Sequence, residues 1–251
     1  MLGLTGKRAL VTGGSRGIGA ATSRLLARAG AHVVVGYRTR AAEAEALVAE
    51  LSGLGVTAAA FAHELGESAG CDALVADAVK ALGGLDILIH NAGIWPTAEE
   101  GVAVLTDARW RRTMAENTDA MFYVSRAAAR HLGAGGRIVH VSSTAGQRGE
   151  AYHADYAASK GAMISFVKSL AVELAPRDIT VNSVAPGWVD TEMAAASYVG
   201  GGRERIAGTI PVGRVASPED IAGPIVFLCS PMARHITGEI LNVNGGSVLC
   251  G

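Results

Sequence analysis

Aromatic residues are scarce in this 251-residue chain, at 5% against 49% hydrophobic residues overall. Its core must therefore be built from Ala, Val, Leu and Ile, the material of a parallel sheet covered on both faces. Long hydrophobic runs are missing too: none approaches the ~18 residues of a membrane span. The segment Met1 to Lys7 enters the first apolar run too soon for a signal peptide. Neither sign of charge dominates, and a formal net charge of −1 gives nucleic acid or an anionic membrane surface nothing to hold. Cysteine is rare. Cys71, Cys229 and Cys250 are odd in number and lack metal-ligand spacing, which argues against a disulfide framework and for reduced thiols in a cytoplasmic protein, Cys250 being the one near an exposed end. The seven histidines show no ligand spacing either, so no metal site is expected.

What is abundant is glycine, 33 residues at turns and helix ends, in a chain without repeats or low-complexity tracts. Apolar runs and amphipathic segments alternate throughout. Strands are expected at 8–12, 32–37, 56–61, 86–91, 137–142, 179–184 and 238–243, and helices at 18–29, 41–53, 68–82, 107–132, 155–175 and 217–229. Such alternation implies an α/β fold, a parallel sheet with helices on both faces and right-handed crossovers. Ser217-Pro218-Glu219-Asp220 supplies a hydroxyl cap, a proline at the first helical position and acids in the first turn. Glu192 to Val215 is the longest stretch without a pattern. Beyond the carboxyl ends of the strands, where open α/β sheets bind ligands, it reads as a substrate lid.

Two local patterns carry chemistry. Arg8 to Thr12 is a buried-strand run, followed at once by Gly13-Gly14-Ser15-Arg16-Gly17-Ile18-Gly19, a helix stopped by Gly30, and a second apolar run from His32. Glycines between such a strand and helix let the backbone turn tightly and approach a pyrophosphate, which rests on the N–H groups of the helix start. Tyr156 and Lys160, four apart, share one helix face. An ammonium beside a phenol favours the phenolate and so tunes the tyrosine to exchange a proton at working pH.

The glycine spacing together with Tyr156-x-x-x-Lys160 resembles the short-chain dehydrogenase/reductase family, and the resemblance runs nearly the whole length of the chain. Asn91-Ala92-Gly93, Asn117, Ser143, Pro186-Gly187-x-x-x-Thr191 and the segment Ile236 to Gly246 match its remaining motifs in order. The resemblance implies a single doubly wound Rossmann domain spanning 1–251, a seven-stranded parallel sheet in the order 3-2-1-4-5-6-7, and a homotetramer. It implies a catalytic tetrad of Asn117, Ser143, Tyr156 and Lys160. In it Tyr156 protonates a carbonyl oxygen, Ser143 holds that oxygen, Lys160 lowers the tyrosine pKa and bonds a ribose, and Asn117 holds a water linking Lys160 to solvent. Ser142 and Tyr152 are competitors for two of these roles; Ser143 has the family's spacing to Tyr156, and no lysine follows Tyr152 at four.

For the cofactor the resemblance implies a nicotinamide dinucleotide on Gly13, Ser15, Arg16, Gly17, Ile18 and Gly19, with Glu64 near the adenine and Asn91, Ala92 and Gly93 along a ribose. Lys160 and Tyr156 lie at the nicotinamide end, with Pro186, Gly187, Val189 and Thr191. At the end of the second strand, where an acid would select NAD(H), the family register places Tyr37, followed by Arg38. A guanidinium there suits a 2′-phosphate, so NADP(H) is expected, read by Arg38 with help from Arg16. The best overall match is to 3-oxoacyl-acyl-carrier-protein reductases. Their acidic carrier is usually gripped by basic residues, for which only Arg126, Arg130 and Arg177 are candidates here. Ile94-Trp95-Pro96-Thr97 suggests an aromatic wall on the substrate pocket. Dehydrogenation of sugars, polyols or other secondary alcohols stays open as the alternative. Enoyl reductases space Tyr and Lys further apart, and non-catalytic NADP sensors commonly lose the tyrosine or lysine that this chain retains.

Overall fold

Successive residues of a strand face opposite sides of its sheet, and here both sides are apolar. The computed structural model describes residues 2–249. In it β1 (Arg8–Thr12), β2 (His32–Tyr37), β3 (Ala58–Ala62), β4 (Leu85–His90), β5 (Leu132–Val141), β6 (Thr180–Pro186) and β7 (Ile240–Val243) form one parallel sheet in the order β3-β2-β1-β4-β5-β6-β7. Ala9, Val11, Val33, Val35, Ile87 and Ile89 pack to one side, against α1 (Gly17–Arg28), α2 (Ala41–Ser52) and α9 (Pro218–Cys229). Leu10, Val34, Leu88, Ile138 and Val181 pack to the other, against α3 (Ser68–Leu82), α5 (Ala120–Ala129) and α7 (Ala154–Leu174). Both expected faces and the expected strand order are present. Each fully buried Val, Leu or Ile contributes about 1.5–3 kcal/mol. The start of α9 is a capping box: Ser217 Oγ accepts from Asp220 N, and Asp220 Oδ2 accepts from Ser217 N at 2.8 Å.

Three expectations need correction. The single helix at 107–132 is instead α4 (Asp107–Met114), a π-helical turn at Ala115–Asp119, and α5. The strand expected to begin at 137 begins at Leu132: Leu85 pairs with Leu132 and Ile87 with Arg137, so the glycine-rich Gly133 to Gly136 forms an irregularity within β5. The patternless 192–215 holds a 3₁₀ stretch, Ala195–Gly201, and α8 (Gly202–Thr209), joined where Gly200 and Gly201 take φ of 62° and 75°. The short α6 (Ala145–Arg148) was not foreseen. Cys71 and Cys229 are buried, and burial pushes both thiols up to about 12; Cys250 lies outside the described residues. No helix among the described residues is long and apolar enough to cross a membrane, and no cluster of His, Cys, Asp and Glu among them is arranged to hold a metal.

Two buried polar groups stand out. Asp155, in the first turn of α7, is fully buried and accepts from Thr113 Oγ1 at 2.7 Å and from Arg109 Nε at 3.1 Å. Burial pushes its carboxyl up, but the hydrogen bonds from Arg109, Thr113 and the Tyr156 N–H hold it below the ordinary range. Asp155→Ala is expected to cost about 2 kcal/mol, less than a fully buried pair because Arg109 keeps Glu100 at 3.1 Å. A denaturant titration checks this, and a loss below about 0.5 kcal/mol, as for exposed pairs, would refute it.

His90 and His140 sit opposite each other on β4 and β5, wholly buried, with ring centroids 5.5 Å apart. Thr12 Oγ1 accepts from the N–H groups of Asn91 and Ala92, so its own hydrogen goes to His90 Nδ1 at 3.2 Å. His90 Nε2 and His140 Nδ1 have no partner. Burial, then the charge of Lys160, pushes His140 down to about 3, and burial pushes His90 well below its ordinary value. An unfolded histidine binds a proton below about pH 6.5. Stability is therefore full above that pH and falls as pH drops towards the native value of about 3. In His140→Asn the slope of stability against pH, measured between about pH 6 and pH 4, should fall by ~1.4 kcal/mol per unit. An unchanged slope would mean that native His140 is already protonated there.

Candidate active site

The glycine turn is built by backbone approach. Gly13 and Gly17 take φ of 60° and 51°, and a Cβ on Gly19 would lie 2.2 Å from the Gly13 carbonyl oxygen. Only glycine permits this geometry. Asn91, just past β4, locks the turn: its Nδ2 donates to Gly13 O at 2.9 Å and Thr12 O at 3.2 Å. The Asn91 amino group is thus committed to the turn, while Asn91, Ala92 and Gly93 all line the cleft where a ribose is expected. No side chain caps the start of α1, so its first N–H groups face the cleft uncapped. The turn opens into a cleft of about 240 Å³ lined also by Tyr37, Arg38, Glu64, Glu116 and Thr191. A cradle that a single Cβ would fill, at an uncapped helix start, fits a dinucleotide pyrophosphate.

The arginines of this cleft are paired. Arg38 Nη1 donates to Glu116 Oε2 at 2.6 Å, and its Nε lies 3.7 Å from Glu64 Oε1. Glu192 bridges Arg16, at 2.5 Å, and Arg40, at 3.3 Å. Glu116 and Glu192 were not foreseen as members of the site. Partners distant in sequence leave no periodic signal in it.

A second cavity, about 150 Å³, adjoins the first and shares Ile18, Asn91, Gly93, Ile94, Thr191 and Met193 with it. Ser143, Tyr156 and Lys160 all line it, with Pro186, Gly187 and Val189 on the far wall. Asn117 lies beneath. Its Nδ2 donates to Ile94 O at 3.0 Å and Ser159 Oγ at 2.9 Å, and its Oδ1 accepts from Ile94 N at 2.8 Å. Both Nδ2 hydrogens of Asn117 are therefore taken within the chain. Gly93 packs against this group: a Cβ there would lie 3.0 Å from Asn117 Oδ1 and 3.5 Å from Lys160 Nζ. Every member of the expected tetrad is therefore in one place.

Burial dominates their charges in the chain by itself. It pushes the Tyr156 phenol up to about 12, against a lowering by the Ser143 hydrogen bond and a further rise from the charge of Glu150. The Lys160 ammonium lies 5.8 Å from the ring centroid, donates to Val141 O at 2.9 Å, and is itself pushed down to about 8 by burial. The protein scaffold alone therefore holds Tyr156 as a neutral proton donor. The competitors are placed elsewhere. Ser142 Oγ donates to Val184 O and accepts from Ser183 Oγ, and Tyr152 is exposed. The aromatic wall is real: Trp95 stacks on His153 and meets Trp188 edge-on, and both indoles line the cavity.

The expected carrier-gripping arginines are engaged within the chain. Arg126 bonds Ser68 and covers Phe122, Arg130 lies 3.5 Å from Asp72, and Arg177 donates to Ala129 O and Leu132 O.

Comparison with known proteins agrees with this geometry. A family model described as enoyl-(acyl carrier protein) reductase matches residues 13–247. The 3-oxoacyl-[acyl-carrier-protein] reductase of Vibrio cholerae is 39% identical over 249 residues, covering 98% of each chain. L-Rhamnose 1-dehydrogenase (NAD(P)(+)) of Azotobacter vinelandii is 38% identical over 250 residues, covering 97% of each. The crystal structure of a short-chain dehydrogenase from Burkholderia cenocepacia in complex with NADP superposes with a TM-score of 0.92 at 40% identity, covering 97% of this chain and 98% of that one. With its glycine turn, its Tyr156–Lys160 pair and relatives matched end to end, the chain belongs to the short-chain dehydrogenase/reductase family.

Proposed function

We propose that this oxidoreductase uses NADP(H) and works as a carbonyl reductase, converting a ketone to a secondary alcohol. The observation that carries the reading is the convergence of Ser143, a protonated Tyr156 and Lys160 on a cavity that adjoins the glycine-turn cleft. In the cleft, Gly13, Ser15, Arg16, Gly17, Ile18 and Gly19 would hold the pyrophosphate, Glu64 the adenine, and Ala92 and Gly93 a ribose. Lys160 would bond the second ribose, and Pro186, Gly187, Val189 and Thr191 the nicotinamide. NADPH bound there supplies a hydride. Ser143 orients the carbonyl oxygen, and Tyr156 gives it a proton as charge develops. A phenol held near 12 remains a donor throughout the neutral range. The four-residue spacing of Tyr156 and Lys160 favours carbonyl over enoyl reduction.

Arg38 and Arg16 are the readers of the 2′-phosphate. Glu192, the partner of Arg16, is largely exposed, and such pairs are worth about 0–1 kcal/mol; Arg38 is itself well exposed although its partner Glu116 is not, and a phosphate carrying close to two charges competes with both carboxylates. The segment 192–215 is the substrate lid, and its first residue, Glu192, is the one that joins Arg16 and Arg40. The assembly is a homotetramer, built from the two long helical segments and β7, which light scattering checks. A 3-oxoacyl thioester is the substrate that the resemblance and the Vibrio cholerae relative support. The engaged state of Arg126, Arg130 and Arg177 weighs against docking of an acidic carrier.

The test is NADPH consumption with an acetoacetyl thioester and a panel of simple ketones, beside NADH. Tyr156→Phe should lower kcat by at least ~100-fold with NADPH affinity unchanged, given the 10²–10⁴ typical of a positioned proton donor. Retention of more than about a tenth of the rate would remove Tyr156 from that role. Arg38→Asp should reduce the NADPH-over-NADH preference in kcat/KM by ~10–100-fold, the range for hydrogen bonds to a charged group. An unchanged preference would assign the reading of the phosphate elsewhere.

A further inference from the structure

Glu150 is the one ionisable group lining the smaller cavity that the proposed reaction does not use. It sits in the connection between α6 and α7, six residues before Tyr156, partly buried. Burial pushes its carboxyl above the ordinary carboxylate range, and the charges of His153 and Arg148 and an interaction with the Trp95 indole offset this only in part. Among the described residues it has no ion-pair partner: His153 Nδ1 lies 3.3 Å from Ala151 O, and Arg148 is exposed. Among the described residues the Trp95 indole is the one side-chain hydrogen-bond donor to this partly desolvated carboxylate, which keeps further acceptor sites open to the cavity. A ligand that brings an O–H or N–H group can occupy one.

The surface beside Glu150 is aromatic. Trp95 stacks on the buried His153 at 4.9 Å, with 19° between the rings, and meets Trp188 at 5.9 Å and 85°. His153 Nε2 is buried without a partner. Tyr198, from the 3₁₀ stretch of the lid, extends the row at 6.2 Å from Trp188 and donates to Val189 O at 2.9 Å. Two indoles at nearly a right angle form a corner of electron-rich surface, which attracts the C–H edges of a ring and any cation. Lys160 is the only cationic side chain lining the cavity, and it is committed to Val141 O. A substrate anion would meet Glu150 without compensation.

We propose that Glu150 determines substrate specificity: it selects a cyclic, non-anionic ketone bearing a hydroxyl or ammonium group, whose hydrogen it accepts while the ring fills the Trp95–Trp188 corner. The inference rests on the ketone-reductase reading for the place of the reacting carbonyl at Ser143 and Tyr156. A 3-oxoacyl thioester has no such donor beside its carbonyl.

Binding is measured apart from turnover, by quenching of tryptophan fluorescence in the presence of NADP⁺, which cannot reduce a ketone. The probes are cyclohexanones bearing a hydroxyl, a methyl or a carboxylate para to the carbonyl, and protonated N-methylpiperidone. The hydroxyl or the ammonium ketone should bind ~10-fold tighter than the methyl one, and the carboxylate ~10-fold weaker, since a site built to accept a hydrogen bond rejects analogues that lack the donor. Whichever of the two donors is preferred identifies the group that Glu150 accepts. Glu150→Gln should compress the series to within ~3-fold by removing the charge. Glu150→Asp, which keeps the charge, should preserve the order and controls for misfolding. Equal affinities across the series in the wild type, no binding of any probe, or an order unchanged in Glu150→Gln would overturn the proposal. NADPH oxidation with the methyl ketone separately tests the ketone-reductase reading, so an order of affinities without turnover would sink that reading and leave the selection by Glu150 standing.

Discussion

The carboxamide of Asn117 is the joint on which both cavities depend. Its three hydrogen bonds reach the Ile94 N–H, the Ile94 carbonyl and the Ser159 hydroxyl. Ile94 lines both cavities, and Ser159 lies between Tyr156 and Lys160 on α7 and donates to the Tyr156 carbonyl at 2.7 Å. One buried side chain thereby sets the segment after β4 against the helix that carries the proposed proton donor. The joint exists because the helical run from α4 to α5 is interrupted: the π-helical turn inserts a residue where Asn117 must reach inward. A regular helix through 107–132 would rotate the residues beyond that turn by about 100° relative to those before it, the angle that one residue occupies. Asp155 and Arg109 brace the same junction from the other side, joining α4 to the first turn of α7.

Burial then decides the electrostatics. Tyr156 and Lys160 lose water together, and desolvation disfavours the charged form of each, moving the phenol up and the ammonium down. In the scaffold by itself the phenol therefore keeps its proton.

The parts of this arrangement legible in the sequence are those whose physics is local. Gly13, Gly17 and Gly19 announce a turn because no other residue takes their conformations or spacing; Tyr156 and Lys160 announce a shared face because a helix has fixed geometry; Ser217 and Asp220 announce a helix start because the cap spans three residues. The alternation of apolar runs was enough for the parallel sheet, since both faces are covered. Where the determinant is distant, the pattern fails. The π-helical turn leaves no periodic signature; within it Asn117 bonds Ile94 and Ser159, both distant in sequence. Gly133 to Gly136 looks like a loop and is an irregularity inside a strand, because Leu132 before it and Arg137 after it both pair with β4. Arg38 looks like a free phosphate reader and is held by Glu116, 78 residues away. The segment 192–215 lacks a pattern because α8 buries little of itself.

The two cavities meet at shared walls yet are lined differently. The larger one pairs Arg16, Arg38 and Arg40 with Glu64, Glu116 and Glu192. The smaller one sets Glu150 beside two indoles, with Lys160 donating to Val141 O. The two cavities join at Ile18, Asn91, Gly93, Ile94, Thr191 and Met193. Residues that fix the junction lie on the sheet and its flanking helices, whereas Trp95, Glu150, Trp188 and Tyr198 all lie in connections between the long helices and strands. A scaffold that anchors the reacting geometry in its core and leaves selection to its loops can change substrate without disturbing proton transfer, which is why relatives with equal resemblance to this chain carry names as different as a 3-oxoacyl reductase and a rhamnose dehydrogenase.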